Sequence, residues 1–423
     1  MKKYFALLFI ISVGCSSFLF LSKAKKRFLI TDYGAMADTT VLNTIAIQKA
    51  IDDCAANGGG MVVVPEGTFI SGAIFLKKNV SLTIEKGAVL KGSANQGDYP
   101  QIQTRWEGEE RVWTSAFINA IGLDNIELTG EGTIDGSGDV WVSQSPRRDR
   151  RDTTLRNIGP RLGRPRLICF DNCTNVKISG LHLHNQAVWC LHILYCKKVS
   201  VKNLNITADH NIPSSDGMDI DSSDGVTVSG CYINVNDDCI SIKSGKDEDG
   251  LRVNRPGENI VIENCTFGYG HGGVAMGSET SGGIRNVEVR NCVVQEGNWE
   301  PIRFKSQPSR GGVVENITYK NIVLKDTRKA FAFNMAWRMV NPKPPAKILP
   351  VVRNVNIINV TGTADAVGDM HGLKGSPING VTFKDCNITA KKGFLIEYAK
   401  NVDLSGLKIT GVEGQAVIQK NDE

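Results

Sequence analysis

The feature that most limits what this 423-residue chain can become is an eight-residue phrase that recurs nine times from Val176 onward. It reads apolar, any, apolar, any, turn residue, apolar, any, apolar. Val176-Lys177-Ile178-Ser179-Gly180-Leu181-His182-Leu183 is one copy, and the others start at Val199, Val226, Ile260, Val287, Ile317, Val355, Val381 and Val402. Alternation with period two is strand patterning. The fifth place holds Gly180, Asn203, Gly230, Asn264, Asn291, Asn321, Asn359, Asp385 and Gly406. These residue types tolerate a left-handed backbone. Each copy therefore predicts two short strands joined by a one-residue bend. Such strands cannot bury a face alone, but stacked as successive coils they enclose one continuous core. The expected fold is all-β, a right-handed parallel β-helix. Sandwiches and propellers need hairpins at a spacing this chain lacks.

Cysteine takes the sixth place as Cys231, Cys265, Cys292 and Cys386, where other copies carry Leu, Ile or Val. Exchange with aliphatics predicts buried thiols. Cys169, Cys173, Cys190 and Cys196 lie outside the phrase and are candidates for pairing. Upstream, Asn43 is placed to cap a helix whose Ile47, Ala50, Ile51 and Cys54 line one face. Such an N-terminal helix would cover the open end of the stack, which otherwise presents an unpaired edge. Val80 and Ile126 begin looser copies of the phrase, so one catalytic domain is expected over residues 27–423.

Residues 1–24 stand apart: Lys2 and Lys3 precede an unbroken apolar run, Phe5 to Val13. They read as an export signal. Cleavage before Cys15 would leave a lipid-anchored chain, and cleavage after Ala24 a free one. The expected location is the periplasm, the cell surface or the medium, with Cys15 the one link to a membrane. The formal net charge of +5 falls to +2 without Lys2, Lys3 and Lys23. That is too small for a nucleic-acid binder by composition. None of the six His is paired at metal-ligand spacing, which argues against a His-rich metal site.

A further strand follows each phrase, and four of these align by their apolar pairs: Met218/Ile220, Ile240/Ile242, Val274/Met276 and Ile302/Phe304. If those pairs point inward, the residues between them point out. The outward rows are Asp219, Ser241, Ala275 and Arg303, then Asp221, Lys243, Gly277 and Lys305. Asp216, Asp237-Asp238 and Gly270-His271-Gly272 sit just ahead of their strands. Strands lie about 4.8 Å apart, so four coils place Asp216, Asp237, Asp238, His271, Arg303 and Lys305 on one outer patch roughly 15 Å long. Asp219 and Asp221 read as structural partners of nearby cations such as Lys243.

These residues carry a resemblance. The chain resembles glycoside hydrolase family 28, the polygalacturonase family. The family's Asn-Thr-Asp-Gly motif appears as Ser214-Ser215-Asp216-Gly217, its paired Asp as Asp237-Asp238, its Gly-His-Gly as Gly270-His271-Gly272, and its Arg-x-Lys as Arg303-Phe304-Lys305. The resemblance implies hydrolysis of α-linked galacturonic acid in pectic polysaccharide or oligogalacturonides, with inversion and without a cofactor or metal. It implies Asp237 as general acid and Asp216 with Asp238 as the pair that holds and deprotonates water. Inversion needs carboxyls about 6.5–9.5 Å apart to admit that water. Three clustered acids do not all ionise, and the role of Asp237 requires it to keep the proton. His271 would tune that acid or touch the sugar. Arg303 and Lys305 would grip a uronate carboxylate on the leaving-group side. Ser214 departs from the family's Asn, keeping a hydrogen-bonding group of shorter reach.

Residues 147–166 carry eight Arg against two Asp, a local charge of +6. Arg105-Trp106-Glu107-Gly108 adds a guanidinium and a stacking ring. A basic flap of this kind attracts an anionic polymer and walls off one end of a groove, which points to exo action. Arg105 is therefore expected to touch substrate, and His192, in Trp189-Cys190-Leu191-His192, a stretch that resembles family sequence, is expected to touch it along with Ser214. The alternatives are an endo-polygalacturonase, a hydrolase of a branched pectin region, a pectate-type lyase, and a non-catalytic glycan-binding β-helix. A monomer is expected, with no nucleic-acid partner because no aromatic ladder accompanies the Arg run.

Overall fold

The computed structural model describes residues 25–144, 163–338 and 343–420. The export signal with Cys15, and Arg147 to Arg161 of the basic stretch, lie outside the described residues.

The nine phrase starts stack on one another. Val176 pairs with Val199, then in turn Val226, Ile260, Val287, Ile317, Val355, Val381 and Val402, all by parallel registers. One sheet of 31 strands winds through these coils as a right-handed parallel β-helix. The phrase is long enough for one rung and too short for more, so burial requires the next rung.

Eight of the nine bend residues have positive φ, from 50° at Asn359 to 80° at Gly180. Asparagine adds a bond between coils. Asn359 donates to Asn321 and Asn321 to Asn291, each at 2.9 Å. Gly406 is the exception. The last coil turns through Asp403, whose carboxylate accepts from the Ser405 amide at 2.9 Å. Glycine is still required there, because a Cβ at 406 would stand 2.4 Å from the Phe383 carbonyl oxygen.

The coil interior is apolar from Phe28 to Ile396. Cys231, Cys265, Cys292 and Cys386 are buried there as expected. The expected candidates for pairing are corrected. Cys169, Cys173, Cys190 and Cys196 are free and buried too. Cys173 and Cys196 donate to the carbonyls of Ala120 and Phe170 at 3.3 and 3.4 Å, a partner that suffices for a weak donor in a core.

The N-terminal helix spans Thr44–Ala56 and buries Ile47, Ala50, Ile51 and Cys54 against the first strands. Asn43 does not cap it. Its side chain instead accepts from the Met36 amide and donates to the Met36 and Val41 carbonyls at 2.8–3.1 Å, tying down the preceding loop. No helix among the described residues is long and apolar enough to cross a membrane.

One hairpin breaks the coil rule. Gln101–Trp106 and Glu109–Thr114 pair antiparallel outside the main sheet. Its tip lies on a much later coil, where the Lys246 amide donates to the Gly108 carbonyl at 3.0 Å. Glu110 holds Arg252 at 2.6 Å.

Candidate active site

The outward rows form as the alternation requires. His192, Asp219, Ser241, Ala275 and Arg303 occupy one ladder, and Asp221, Lys243 and then Gly277, Lys305 its neighbour two residues on. Asp216, Asp237 and Asp238 meet at the edge of this patch, with one oxygen of each within 4.8 Å of the others. Neighbouring rungs bring the carboxyls together, and glycine lets them. A Cβ at Gly272 would stand 2.6 Å from Asp238 Oδ1, and one at Gly270 2.8 Å from the Asp237 carbonyl oxygen.

Asp238 is fully buried and neutralised by Arg303 at 2.8 Å and Lys305 at 2.5 Å. Arg303 also holds Glu300 at 2.8 Å. Both cations of the Arg-x-Lys motif thus serve the acids directly. A metal held by the three carboxylates would compete with these two fixed charges. His271 Nδ1 lies 3.2 Å from Asp237 Oδ1. The His271 ring stacks on Trp299 with centroids 4.1 Å apart, and the Arg328 guanidinium lies 3.9 Å from the Trp299 centroid. Ser215, beside the substituted Ser214, accepts from the Asn236 amide at 3.2 Å and donates to the Ile212 carbonyl at 2.8 Å. It joins the loop before Asp216 to the loop before Asp237. Ser214 itself is half-buried with φ 57°.

Burial and neighbouring charge act differently on the three carboxyls. Burial, then the charges of Asp219 and Asp237, push the Asp216 carboxyl well above the usual range. Burial also pushes at Asp237, but the His271 hydrogen bond, Lys305 and Arg303 outweigh it and hold Asp237 low. Asp238 is held low against burial by Lys305 and Arg303. Asp216 thus lies above the usual carboxylate range and Asp237 below it. Asp219, buried beside Lys243, is pushed up to about 7.

Two residues expected to touch substrate do not face it. Arg105 is 1% exposed and bonds Asp221 and Ser222, both at 2.8 Å. His192 is fully buried, with Nδ1 2.7 Å from Arg166 and Nε2 3.6 Å from Asp221. A buried carboxylate needs a charged partner, and Asp221 takes Arg105; burial pushes the His192 imidazole down to about 4, so it sits beside Asp221 as a neutral ring. Lys243 is the structural cation expected for Asp219, at 3.4 Å, with Glu279 at 3.5 Å and the Trp189 ring 4.4 Å away. Trp189 in turn packs on Trp106, and Trp106 on Trp113, at 4.7 and 5.1 Å. The hairpin is thereby locked against the coil that precedes Asp216.

The sequence reading missed Trp299, Glu300, Lys329, Trp337 and Asp369. Glu300 precedes Arg303 by three residues on one strand, an odd spacing that regular alternation sends to opposite faces, so their ion pair could not be read from the pattern. Asp369 was legible only by carrying the Arg303 ladder two coils on. The register shift between Leu324 and Thr327 breaks any count made from the phrase.

Comparison with known proteins gives the family and the fold. The profile described as "Glycosyl hydrolases family 28" matches residues 54–409. A "Probable polygalacturonase" of Vitis vinifera is 28% identical over 85% of this chain and 73% of its own length. An "Exo-poly-alpha-D-galacturonosidase" of Dickeya chrysanthemi is 29% identical over 80% of this chain and 63% of its own length. Relatives named endo-polygalacturonase match as well. Among solved structures, the exopolygalacturonase of Thermotoga maritima superposes with a TM-score of 0.81 and 26% identity, covering 94% of this chain and 93% of that one.

Proposed function

The chain belongs to glycosyl hydrolase family 28, and from that premise we propose that it is an exo-acting enzyme that removes galacturonic acid from pectic chains with inversion. The observation that carries this reading is the three-acid cluster with Arg303 and Lys305 on one flank and the hairpin on the other. In this reading Asp237 protonates the departing oxygen. Asp216 and Asp238 hold the attacking water, and one of them takes its proton. His271 touches only Asp237 among these acids and tunes it.

The substrate reverses this order between Asp216 and Asp237. A uronate carboxylate arriving at Arg303 and Lys305 brings negative charge beside Asp237 and draws on the cations that hold it low. Both effects raise the Asp237 carboxyl. The proton then passes from Asp216 to Asp237 within a cluster in which one oxygen of each acid lies within 4.8 Å of the others. Asp216, now ionised, is the base. Substrate binding thus assigns acid and base.

The hairpin supports exo action. With the leaving sugar against Arg303 and Lys305, the other side of the scissile bond faces Trp189 and the hairpin. From the coil of Asp238 to that of Trp189 is two strand spacings, about 10 Å, which leaves room for one or two sugars. The chain end held there is the non-reducing one. Product analysis on oligogalacturonides tests this: monomer or dimer alone from the first time point is expected, and a spread of oligomers overturns it.

A retaining route through a covalent Asp intermediate is the alternative that stereochemistry tells apart. The first anomer released decides between them. An α-linked substrate yields the β anomer by inversion and the α anomer by retention. Full activity in a chelator, with no unsaturated product, is expected and would set aside a lyase. Export by residues 1–24 completes the proposal, because the substrate is a polymer outside the cell.

A further inference from the structure

Beyond Arg303 lies a second depression in the same patch. Ala275, Arg303, Ala332 and Asp369 follow one another on successive coils of one ladder. Small residues on both sides of Arg303 leave that side chain standing between two low places. One lies beside the acids. The other is a recess of about 240 Å³ lined by Glu300, Arg303, Lys305, Lys329, Trp337 and Asp369. It is smaller than the ~300–1,000 Å³ of drug-sized sites and on the scale of one sugar ring. Ala332 lies two coils from Ala275, roughly 10 Å. The recess is thus placed for the sugar that follows the one against Arg303 and Lys305.

We propose that this recess is an outer leaving-side subsite for an uncharged sugar, either a neutral residue or a carboxyl-esterified uronate, and that it disfavours a free uronate. The proposal rests on the hydrolase reading above. Arg303 and Lys305 serve the innermost sugar, and the remaining cation of the recess, Lys329, already has two carboxylate partners, Glu300 at 3.1 Å and Asp369 at 2.7 Å. The side chains of Glu300 and Asp369 stay 21% and 23% exposed. They accept hydrogen bonds from sugar hydroxyls and repel a carboxylate. Trp337 is half-buried, and its ring centroid is 5.5 Å from Lys305 Nζ. It offers a flat apolar surface to the C–H face of a sugar. The innermost leaving-side sugar remains a uronate; the preference changes one residue further on.

Three trisaccharides test this. Each begins with two galacturonates from the non-reducing end, and the third residue is galacturonate, its methyl ester, or a neutral sugar. An all-acid trimer disfavoured by about tenfold in kcat/KM against at least one uncharged partner is the expected result, since a like charge placed at the recess opposes binding. Whether the ester, the neutral sugar or both gain identifies the source. An all-acid trimer cut as well as both others overturns the inference and leaves the hydrolase reading intact. Cleavage of none of the three overturns both. Asp369→Asn is expected to bring the three rates toward parity, and Ala332→Leu, which fills the floor, to do the same. Should either variant fail to fold, the comparison of the three substrates on the native protein still decides.

Discussion

The two flanks of the acid cluster use charge in opposite ways. On the hairpin flank, Arg105 and Asp221 are sealed from water, and Trp106, Trp113 and Trp189 pack over the coil. On the other flank, Glu300, Lys329 and Asp369 pair at a surface that stays partly open. The first arrangement supports a wall and the second a place where sugars lie. A buried ion pair fixes backbone geometry because breaking it strands a charge in low dielectric. A half-exposed pair is worth little to stability and remains available to a ligand's hydroxyls.

The sharpest way to break this comparison is to silence the centre and ask whether the flanks survive. Asp237→Asn is expected to lower turnover by about 10²–10⁴-fold with an unchanged melting temperature. A variant of near-native rate would remove Asp237 from its role. Next in size, Arg105→Ala is expected to cost about 3–5 kcal/mol of stability, measured by denaturant unfolding. The Asp221 carboxyl is held low, against burial, chiefly by Arg105 and His192. A lowered folded pKa gives stability present above the unfolded value of ~3.9 and lost as pH falls through the folded one. The gap between native and Arg105→Ala should therefore narrow below about pH 4. A gap independent of pH would mean the pair does not act electrostatically.

Trp299→Ala is expected to lower kcat about tenfold with little change in KM and to shift the acidic limb of the pH profile. Trp299→Phe, which keeps a ring under His271, should restore most of both. A pure rise in KM would make Trp299 a sugar contact instead. The smallest effect is expected for Trp106→Ala. It should loosen the wall and add longer products to the first time points, a change of a few-fold in their ratio. Products unaltered by this variant would detach the hairpin from exo action.

Legibility followed the range of the interactions. The coil phrase could be read because alternation and left-handed bend residues act within eight positions. The acid patch could be read because Asp216, Asp237, Asp238, His271, Arg303 and Lys305 each sit at a fixed offset from an apolar pair. Arg105 misled because an Arg beside a Trp suggests a surface contact. Its partner Asp221 lies 116 residues away, and only the folded hairpin brings them together. The recess escaped notice because its ladder crosses an irregular stretch between Leu324 and Thr327.

By itself, the sequence determined a solenoid and the row on which its chemistry stands, since strand period, bend tolerance and side-chain alternation are local properties repeated coil after coil. The tertiary structure alone decided which cation answers which carboxylate, and so that the Asp216 carboxyl is pushed up and His192 lies buried. Those outcomes depend on distance and on exclusion of water, both of which are set by how the hairpin and neighbouring coils close over one another.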